Sequence, residues 1–319
     1  MKSSLFPIIR RLSYILNNKL IYLDRLFLAK QSTPLPQPIF ILGAPRSGTT
    51  LTYQVITQQF QVGYFIELMN HLFGCPNLLL NLASPFIKRP RPVFMSKYGK
   101  TNYPFAPAET GTFWFRWFPQ ESDLGHYTIP DQFQLHKYQT MIENIQSFSQ
   151  ISKRPMAFKS VYLNMNVGIL AKIFPQSRFI FIKRNLIQNC QSLLLARQQQ
   201  PNPQQWWSVK PPNYHQWLTL PIWQQVTNQV YYTQLIAERD LKKHASGRYK
   251  KIKYEYLCQQ PQQFVDELTS WLSPLGFQPY SDMQVQKSFQ ASNETKLNES
   301  MIEKISLHLK YLEQKGRLN

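Results

Sequence analysis

Short apolar runs alternate with longer stretches of helical periodicity along most of this chain. The runs 39–42, 156–160 and 178–182 are each followed by turn or polar residues, and Asn185 after the third is a favourable helix N-cap. A continuous apolar run is typical of a strand that is buried on both faces of a parallel sheet. The pattern therefore predicts an α/β fold with a mainly parallel central sheet flanked by helices.

The second half of the chain carries further elements of the same kind. Residues 250–257 predict a fourth strand, and the pattern over 263–272 predicts a helix that packs on it. Helices are also predicted over about 185–197 and about 221–243, with a loop rich in Gln and Pro at 198–212 between them. Because loops of this length in compact domains are often functional, we expect this one to lie over a binding site.

The turn after the first apolar run has the features of a phosphate-binding loop. Gly43 and Gly48 are spaced as in the P-loop of nucleotide triphosphatases, but Thr49 stands where that motif has its lysine. Backbone N–H groups of such a loop and of the helix that follows it bind anions. Without the lysine, an ordinary ATPase or kinase is disfavoured, and Arg46 supplies a cation instead.

Residues 45–50, Pro-Arg-Ser-Gly-Thr-Thr, resemble the loop that holds the 5′-phosphosulfate of 3′-phosphoadenosine-5′-phosphosulfate (PAPS) in sulfotransferases. The form with Arg is the one of tyrosylprotein sulfotransferases and many bacterial relatives. The resemblance implies a P-loop-like three-layer sandwich. It also implies in-line transfer of the sulfuryl group of PAPS to an acceptor hydroxyl. The loop residues that it implies in PAPS binding are Arg46, Ser47, Gly48, Thr49 and Thr50.

The same resemblance assigns residues beyond the loop. Arg184 ends the third apolar run and Ser192 follows eight residues later, which is the spacing that holds the 3′-phosphate of PAPS in the family. The family usually has Asp after that Arg, whereas this chain has Asn185. Lys159 matches a lysine that contacts the bridging oxygen of the leaving group, and Lys296 falls where the family closes over the nucleotide. With Arg46, Lys159 is therefore expected to stabilise the charge that develops during transfer.

Two carboxylates of the sequence are candidates for the general base. Glu67 lies twenty-one residues after Arg46, the offset of the proposed base in tyrosylprotein sulfotransferases, and its apolar neighbours would desolvate it. Glu109 lies in a Pro-x-Glu segment followed by aromatics, as in bacterial sulfotransferases, and is the alternative. His71 and His126 lie in no matching motif. The offset favours Glu67.

Composition limits the function classes. The 319 residues include 36 Lys and Arg against 17 Asp and Glu, a net charge of +19 that attracts anions. The same charge would suit a non-catalytic protein that binds nucleic acid or membranes, but no nucleic-acid recognition motif accompanies it. Three widely spaced cysteines favour a reducing compartment over a zinc site, and we expect no metal. No apolar run approaches the ~20 residues of a membrane span, so we expect a cytoplasmic protein.

The N-terminus has its own pattern. Residues 1–30 form an amphipathic basic helix, and 31–319 are expected to form the α/β domain, entered through the Pro-rich segment 33–38. Such helices usually cover part of their own protein's core. The alternative is peripheral contact with a membrane surface through residues 5–27. The sequence leaves the acceptor hydroxyl unidentified.

Overall fold

The computed structural model describes residues 2–30, 37–87, 103–118, 123–281, 284–292 and 294–317. Residues 33–36 of the Pro-rich entry segment 33–38 lie outside these ranges.

Four strands form one sheet whose neighbouring strands are all parallel. Their spatial order is β2-β1-β3-β4, so the first strand lies inside the sheet between the second and the third. The predicted α/β class with a parallel central sheet is confirmed. The strands are β1 (Ile39–Leu42), β2 (Ala157–Lys159), β3 (Arg178–Lys183) and β4 (Tyr249–Lys253).

Helices flank this sheet and fill the connections between its strands. Their bounds are α1 (Lys2–Asp24), α2 (Thr49–Gln59), α3 (Pro76–Ala83), α4 (Gly111–Trp114), α5 (Gln139–Ser152), α6 (Val167–Ile173), α7 (Leu186–Gln198), α8 (Ile222–His244), α9 (Tyr254–Gln259), α10 (Pro261–Leu272) and α11 (Glu299–Arg317). Short 3₁₀ helices occur at Arg25–Phe27, Glu67–Asn70, Pro130–Gln132, Leu135–Tyr138, Val161–Met165, Tyr214–Trp217 and Ser273–Leu275.

Aromatic packing fixes the centre of the sheet. Phe40 on β1 is fully buried and stacks on Phe158 of β2 and Phe179 of β3, with ring centroids 5.9 and 5.5 Å apart. The ring of Trp114 meets Phe40 edge-on from α4. The stacked rings pack the centres of three strands together. Because these strands are parallel, their carboxyl ends meet at one edge of the sheet.

Helix boundaries follow local chemistry in α7 and α9. The Asn185 side chain accepts a hydrogen bond from the Gln188 N–H at 3.2 Å, which confirms the predicted N-cap of α7. The prediction of strand over 250–257 is wrong beyond Lys253. Lys253 of β4 pairs with Lys183, which is the last residue of β3. Beyond Lys253 the chain therefore has no strand residue of β3 to pair with. The chain turns into α9 instead.

The N-terminal segment contains the predicted helix, α1, followed by a 3₁₀ turn. The domain boundary after residue 30 stays a prediction. Of the helices that the structure describes, none is long and apolar enough to cross a membrane. The three cysteines are buried, and each is a free thiol.

Candidate active site

A cavity of about 210 Å³ opens at the carboxyl edge of the sheet. In the described ranges, Ser47, Glu67 and Lys296 are the predicted site residues that do not line it. The alternative base Glu109 does line it. The predicted residues in its wall are Arg46, Gly48, Thr49, Thr50, Lys159, Arg184 and Ser192.

The loop between β1 and α2 is shaped by left-handed backbone. Gly48 has φ +98° and forms the N-cap of α2, and Arg46 has φ +68°, which is uncommon for a residue with a side chain. Gly48 offers no side chain to the first turn of α2, and Thr49 and Thr50 of that turn line the cavity. The start of this helix therefore has no side-chain cap, and a helix start of this kind is suited to binding an anion.

Two buried asparagines hold the loop from behind. Asn164 accepts a hydrogen bond from the Gly43 N–H at 2.9 Å and donates one to the Gly43 carbonyl at 2.9 Å. Asn189 on α7 donates to the Pro45 carbonyl. Both asparagines are fully buried. Sequence reasoning missed them, because nothing near them in the chain indicates that they contact the loop.

Lys159 is held at the end of β2 by two partners. Its ammonium lies 2.7 Å from Glu109 Oε1 and donates to Thr50 Oγ1 at 3.0 Å. Glu109 also accepts a hydrogen bond from the Val161 N–H at 3.2 Å. Only 4% of Lys159 is exposed, whereas 30% of the Glu109 side chain is exposed. The ammonium and the carboxylate thus occupy fixed positions on one wall of the cavity.

Arg184 connects the loop to the C-terminal segment. Its Nη1 donates to the Arg46 carbonyl at 3.0 Å, and its Nη2 donates to the Ser292 carbonyl. Its guanidinium carbon lies 5.0 Å from the centre of the Tyr254 ring. Burial lowers the pKa of Arg184 below its ordinary value, and nearby Tyr254 opposes that effect. Since an arginine remains protonated after such a shift, a cation is held at this end of the cavity.

The two predicted anion-binding elements belong to one cavity. Besides the contact of Arg184 with the Arg46 carbonyl, Arg46 Nε donates to Ser192 Oγ at 3.3 Å. Lys296 lies beside the same helix, α7, where its backbone N–H donates to Gln191 Oε1 at 2.7 Å. A single small molecule in the cavity would therefore reach both arginines.

The two candidate carboxylates lie on neighbouring segments. Glu67 N–H donates to the Ala106 carbonyl at 3.0 Å, and the segments are bridged at Ile66 and Pro107. The Glu67 carboxylate accepts a hydrogen bond from Asn70 Nδ2 at 2.6 Å. Glu109 and Glu67 therefore lie on paired segments, but Glu109 lines the cavity and Glu67 does not.

His71 and His126, the two histidines considered as bases, lie away from the cavity. His126 is buried, stacks on Phe115 and accepts a hydrogen bond from the Lys210 N–H at Nδ1, 2.7 Å away. His71 is exposed at the end of a 3₁₀ turn. Neither lines the cavity formed by the described residues.

The long loop and α9 complete the cavity wall. Trp207 and Ser208, from the loop predicted to cover a site, line it, and Gln229 of α8 holds this loop by donating to the Trp207 carbonyl at 2.8 Å. Tyr254 lines it too, with its ring against Gly48. The sequence assigned no role to Tyr254, because its contact with the loop is visible only in the folded chain.

The contact between Gly48 and Tyr254 leads to a stability prediction. We expect Gly48→Ala to lower the free energy of unfolding by about 1–3 kcal/mol from backbone strain, and by more from the collision of the new Cβ with the Tyr254 ring. Gly247→Ala is the matched control, since Gly247 has φ +73° and open space around it. Denaturant unfolding of both variants separates the two effects, and equal losses would show that the ring yields without cost.

The charges around the cavity suit a polyanion. Arg46, Lys159 and Arg184 face it together with the open start of α2, against the single carboxylate of Glu109. Arginine offers paired donors that match phosphate oxygens, and a helix start adds backbone N–H groups. In the described part of the chain, no cluster of His, Cys, Asp and Glu could hold a metal ion. The residues present therefore fit a phosphate-bearing group.

Comparison with known families gives a match to the model of the sulfotransferase family over residues 38–274. The chain belongs to the sulfotransferase family. The matched region runs from β1 through α10 and thus includes the loop, Lys159, Glu109, Arg184 and Ser192. Comparison with curated proteins finds no significant match.

Solved structures show the same fold at low sequence identity. The sulfotransferase STF1 from Mycobacterium tuberculosis aligns with a TM-score of 0.55 at 13% identity, over 90% of this chain and 79% of that protein. STF9 from Mycobacterium avium, also a sulfotransferase, aligns with a TM-score of 0.50 at 17% identity, over 88% and 69%. These similarities support the P-loop-like fold of this sulfotransferase.

Proposed function

We propose that this sulfotransferase takes the sulfuryl group from PAPS and transfers it to an acceptor hydroxyl by in-line displacement. One observation carries the proposal. Arg46, Lys159 and Arg184 line the same cavity as the uncapped start of α2, so that three cations and a helix dipole converge there. A nucleotide with phosphate groups at both its 5′ and 3′ positions needs such a set of donors.

The cations divide into two groups. Arg184 and Ser192 would hold the 3′-phosphate, because Arg184 lies just before α7, Ser192 lies on α7, and both line the cavity. Arg46 and the start of α2, Thr49 and Thr50, would hold the 5′-phosphosulfate. In this assignment Arg184 orients as well as neutralises, because bonds to the Arg46 and Ser292 carbonyls fix its plane.

The proposed transfer needs a general base for the acceptor hydroxyl and a cation for the leaving group. PAPS, when bound, supplies a sulfuryl group on a good leaving group. Glu109 would accept the acceptor proton while the hydroxyl oxygen forms its bond to sulfur and the bond from sulfur to the bridging oxygen breaks. Lys159 would stabilise the negative charge that this break leaves on the phosphate. Both residues line the cavity, and their side chains are 2.7 Å apart.

We assign the base to Glu109 rather than to Glu67. The offset from Arg46 favours Glu67, but its carboxylate does not line the cavity and accepts a hydrogen bond from Asn70. Glu109 has three-tenths of its side chain exposed and is positioned by the Val161 N–H. A base must reach the proton that it removes, and its access to the cavity supports Glu109.

The alternative classes are not favoured. A nucleotide kinase or NTPase would need a lysine in the loop where this chain has Thr49. A non-catalytic protein that binds nucleic acid or membranes would have no need for the Lys159–Glu109 ion pair in the wall of a cavity. The acceptor is a hydroxyl compound, and the wall formed by Trp207 and Ser208 is the surface on which it would lie.

Calorimetry with adenosine 3′,5′-bisphosphate tests the nucleotide assignment. We expect micromolar-range binding to the wild type and a loss of about 2–3 kcal/mol in Arg184→Ala, since a charge-assisted contact is removed. Arg25→Ala, which changes an exposed arginine outside the cavity, is the control and should bind as the wild type does.

Two results would count against the proposal. No binding to the wild type would remove PAPS as the donor. Equal affinities of wild type and Arg184→Ala would leave a nucleotide site but take the 3′-phosphate away from Arg184.

A further inference from the structure

Helix α1 is attached to the rest of the protein through polar side chains. The amide oxygen of Asn17, which is fully buried, accepts a hydrogen bond from the Gly74 N–H at 2.7 Å. About two turns further along the helix, Asp24 accepts hydrogen bonds from Asn77 Nδ2 at 2.8 Å and the Leu78 N–H at 2.9 Å. Since seven residues make about two turns, Asn17 and Asp24 lie on the same side of the helix, and that side faces inward.

Over residues 11–24, where the structure describes the side chains, the opposite side of α1 is apolar and exposed. The inner side also carries Leu20, which packs on the main core beside the buried Asn17 and Asp24, so α1 has apolar residues on both sides. A surface helix of a globular protein usually keeps its apolar residues on the side that faces the core. The outer face of α1, as we call it, consists of Leu12, Ile15, Leu16, Tyr22 and Leu23, together with Leu26 in the following 3₁₀ turn; between 43% and 78% of each of these residues is exposed.

The neighbouring helix extends this apolar surface. Leu82 and Phe86, in and just after α3, are 64% and 76% exposed. Helix α3 is joined to α1 through the Asp24 contacts, and Asn81 donates to the Phe27 carbonyl at 3.3 Å. Exposed apolar side chains in such number on adjoining helices mark an interaction surface.

The charged groups at this surface are all of one sign. Among residues 11–30, the cations Arg11, Lys19, Arg25 and Lys30 are exposed, and the sole acidic residue is Asp24, which is buried against α3. The face therefore combines apolar residues with exposed cations and presents no carboxylate. It also lies before the region matched by the family model, which begins at residue 38.

We propose that the outer face of α1 docks on a lipid bilayer that contains anionic phospholipids. The helix would lie in the plane of the interface, with its leucines among the acyl chains and its lysine and arginine groups at the lipid phosphates. The buried Asn17 and Asp24 keep it attached to the protein while it does so. A second copy of the chain is a poor occupant, because two such faces would bring their cations together.

Vesicle flotation of the full chain tests this proposal. The probes are vesicles of phosphatidylcholine alone and of phosphatidylcholine mixed with phosphatidylglycerol. We expect the wild type to float with the mixed vesicles, and Leu12→Gln/Leu16→Gln/Leu23→Gln to bind them about ten-fold more weakly or worse. The control, Leu307→Gln/Tyr311→Gln, alters residues of α11 that are 57% and 53% exposed, and should bind as the wild type does.

A charge variant tests the second component. Arg11→Gln/Lys19→Gln keeps every apolar residue of the outer face, and we expect it to lose most of the preference for anionic vesicles. The proposal is overturned if the wild type floats with neither vesicle, or if both variants bind like the wild type. It is also overturned if sedimentation velocity shows a dimer that the triple variant abolishes. None of these measurements uses PAPS, so their outcome is independent of the proposed sulfuryl transfer.

Discussion

Lys159→Met is expected to lower kcat by about 10²–10³-fold and to leave the affinity for adenosine 3′,5′-bisphosphate within a few-fold of the wild type. Methionine keeps much of the length and volume of lysine in a site where only 4% of the residue is exposed. What it removes is the ammonium that would meet charge on the leaving oxygen, which appears only as the bond to sulfur breaks. Initial rates of adenosine 3′,5′-bisphosphate release give kcat, and calorimetry gives the affinity for that nucleotide.

Lys242→Met provides the control for that experiment. Lys242 lies on α8 with 66% of its side chain exposed, and its loss should leave both quantities unchanged. If Lys159→Met lowered affinity and left kcat intact, the ammonium would serve ground-state binding rather than transfer.

Glu109→Gln is expected to lower kcat by about 10²–10⁴-fold, the range for loss of a general base. Glutamine has the same length, and its carbonyl oxygen can still accept the hydrogen bond from the Val161 N–H. The variant therefore removes the carboxylate, which is the proposed proton acceptor, with little change of shape. Rates measured across a range of pH should also lose the dependence on a deprotonated base at the acid side.

Glu67→Gln is the matched variant on the neighbouring segment. We expect it to keep most of the activity, because the Glu67 carboxylate does not line the cavity. A loss of activity in Glu67→Gln, with Glu109→Gln active, would return the base to the residue that the sequence offset favours.

The elements that the sequence predicted well are those with local signals. A strand, two glycines and a helix start lie within one short stretch around residues 39–50, and Asn185 caps α7 from the position next to it. Such features depend on backbone conformations that neighbouring residues determine. For this reason the parallel sheet and the loop between β1 and α2 followed from the sequence.

The contacts that the sequence could not give are those between distant residues. Asn164 holds Gly43 from 121 positions away, and no pattern near either residue indicates this. The choice between Glu67 and Glu109 is of the same kind, because their segments are paired and only the folded cavity shows which side chain faces it.

The N-terminal helix shows a third limit. The periodicity of apolar residues predicted the helix and its two faces. Surface helices usually pack their apolar face against the core. In α1 the inward direction is set by Asn17 and Asp24, whose partners on and before α3 come from a distant part of the sequence. Periodicity shows that a helix has two different faces, but it does not show which face packs against the rest of the protein.

The order in which residues 48 and 254 change affects the cost of each change. An aromatic ring at 254 leaves no room for a Cβ at 48, whereas a small residue at 254 would still leave the unfavourable left-handed backbone at 48. A descendant of this chain that lost Gly48 would therefore need to shrink Tyr254 first and would still carry the conformational cost. The cation of Arg184 would lose its aromatic neighbour in the same step.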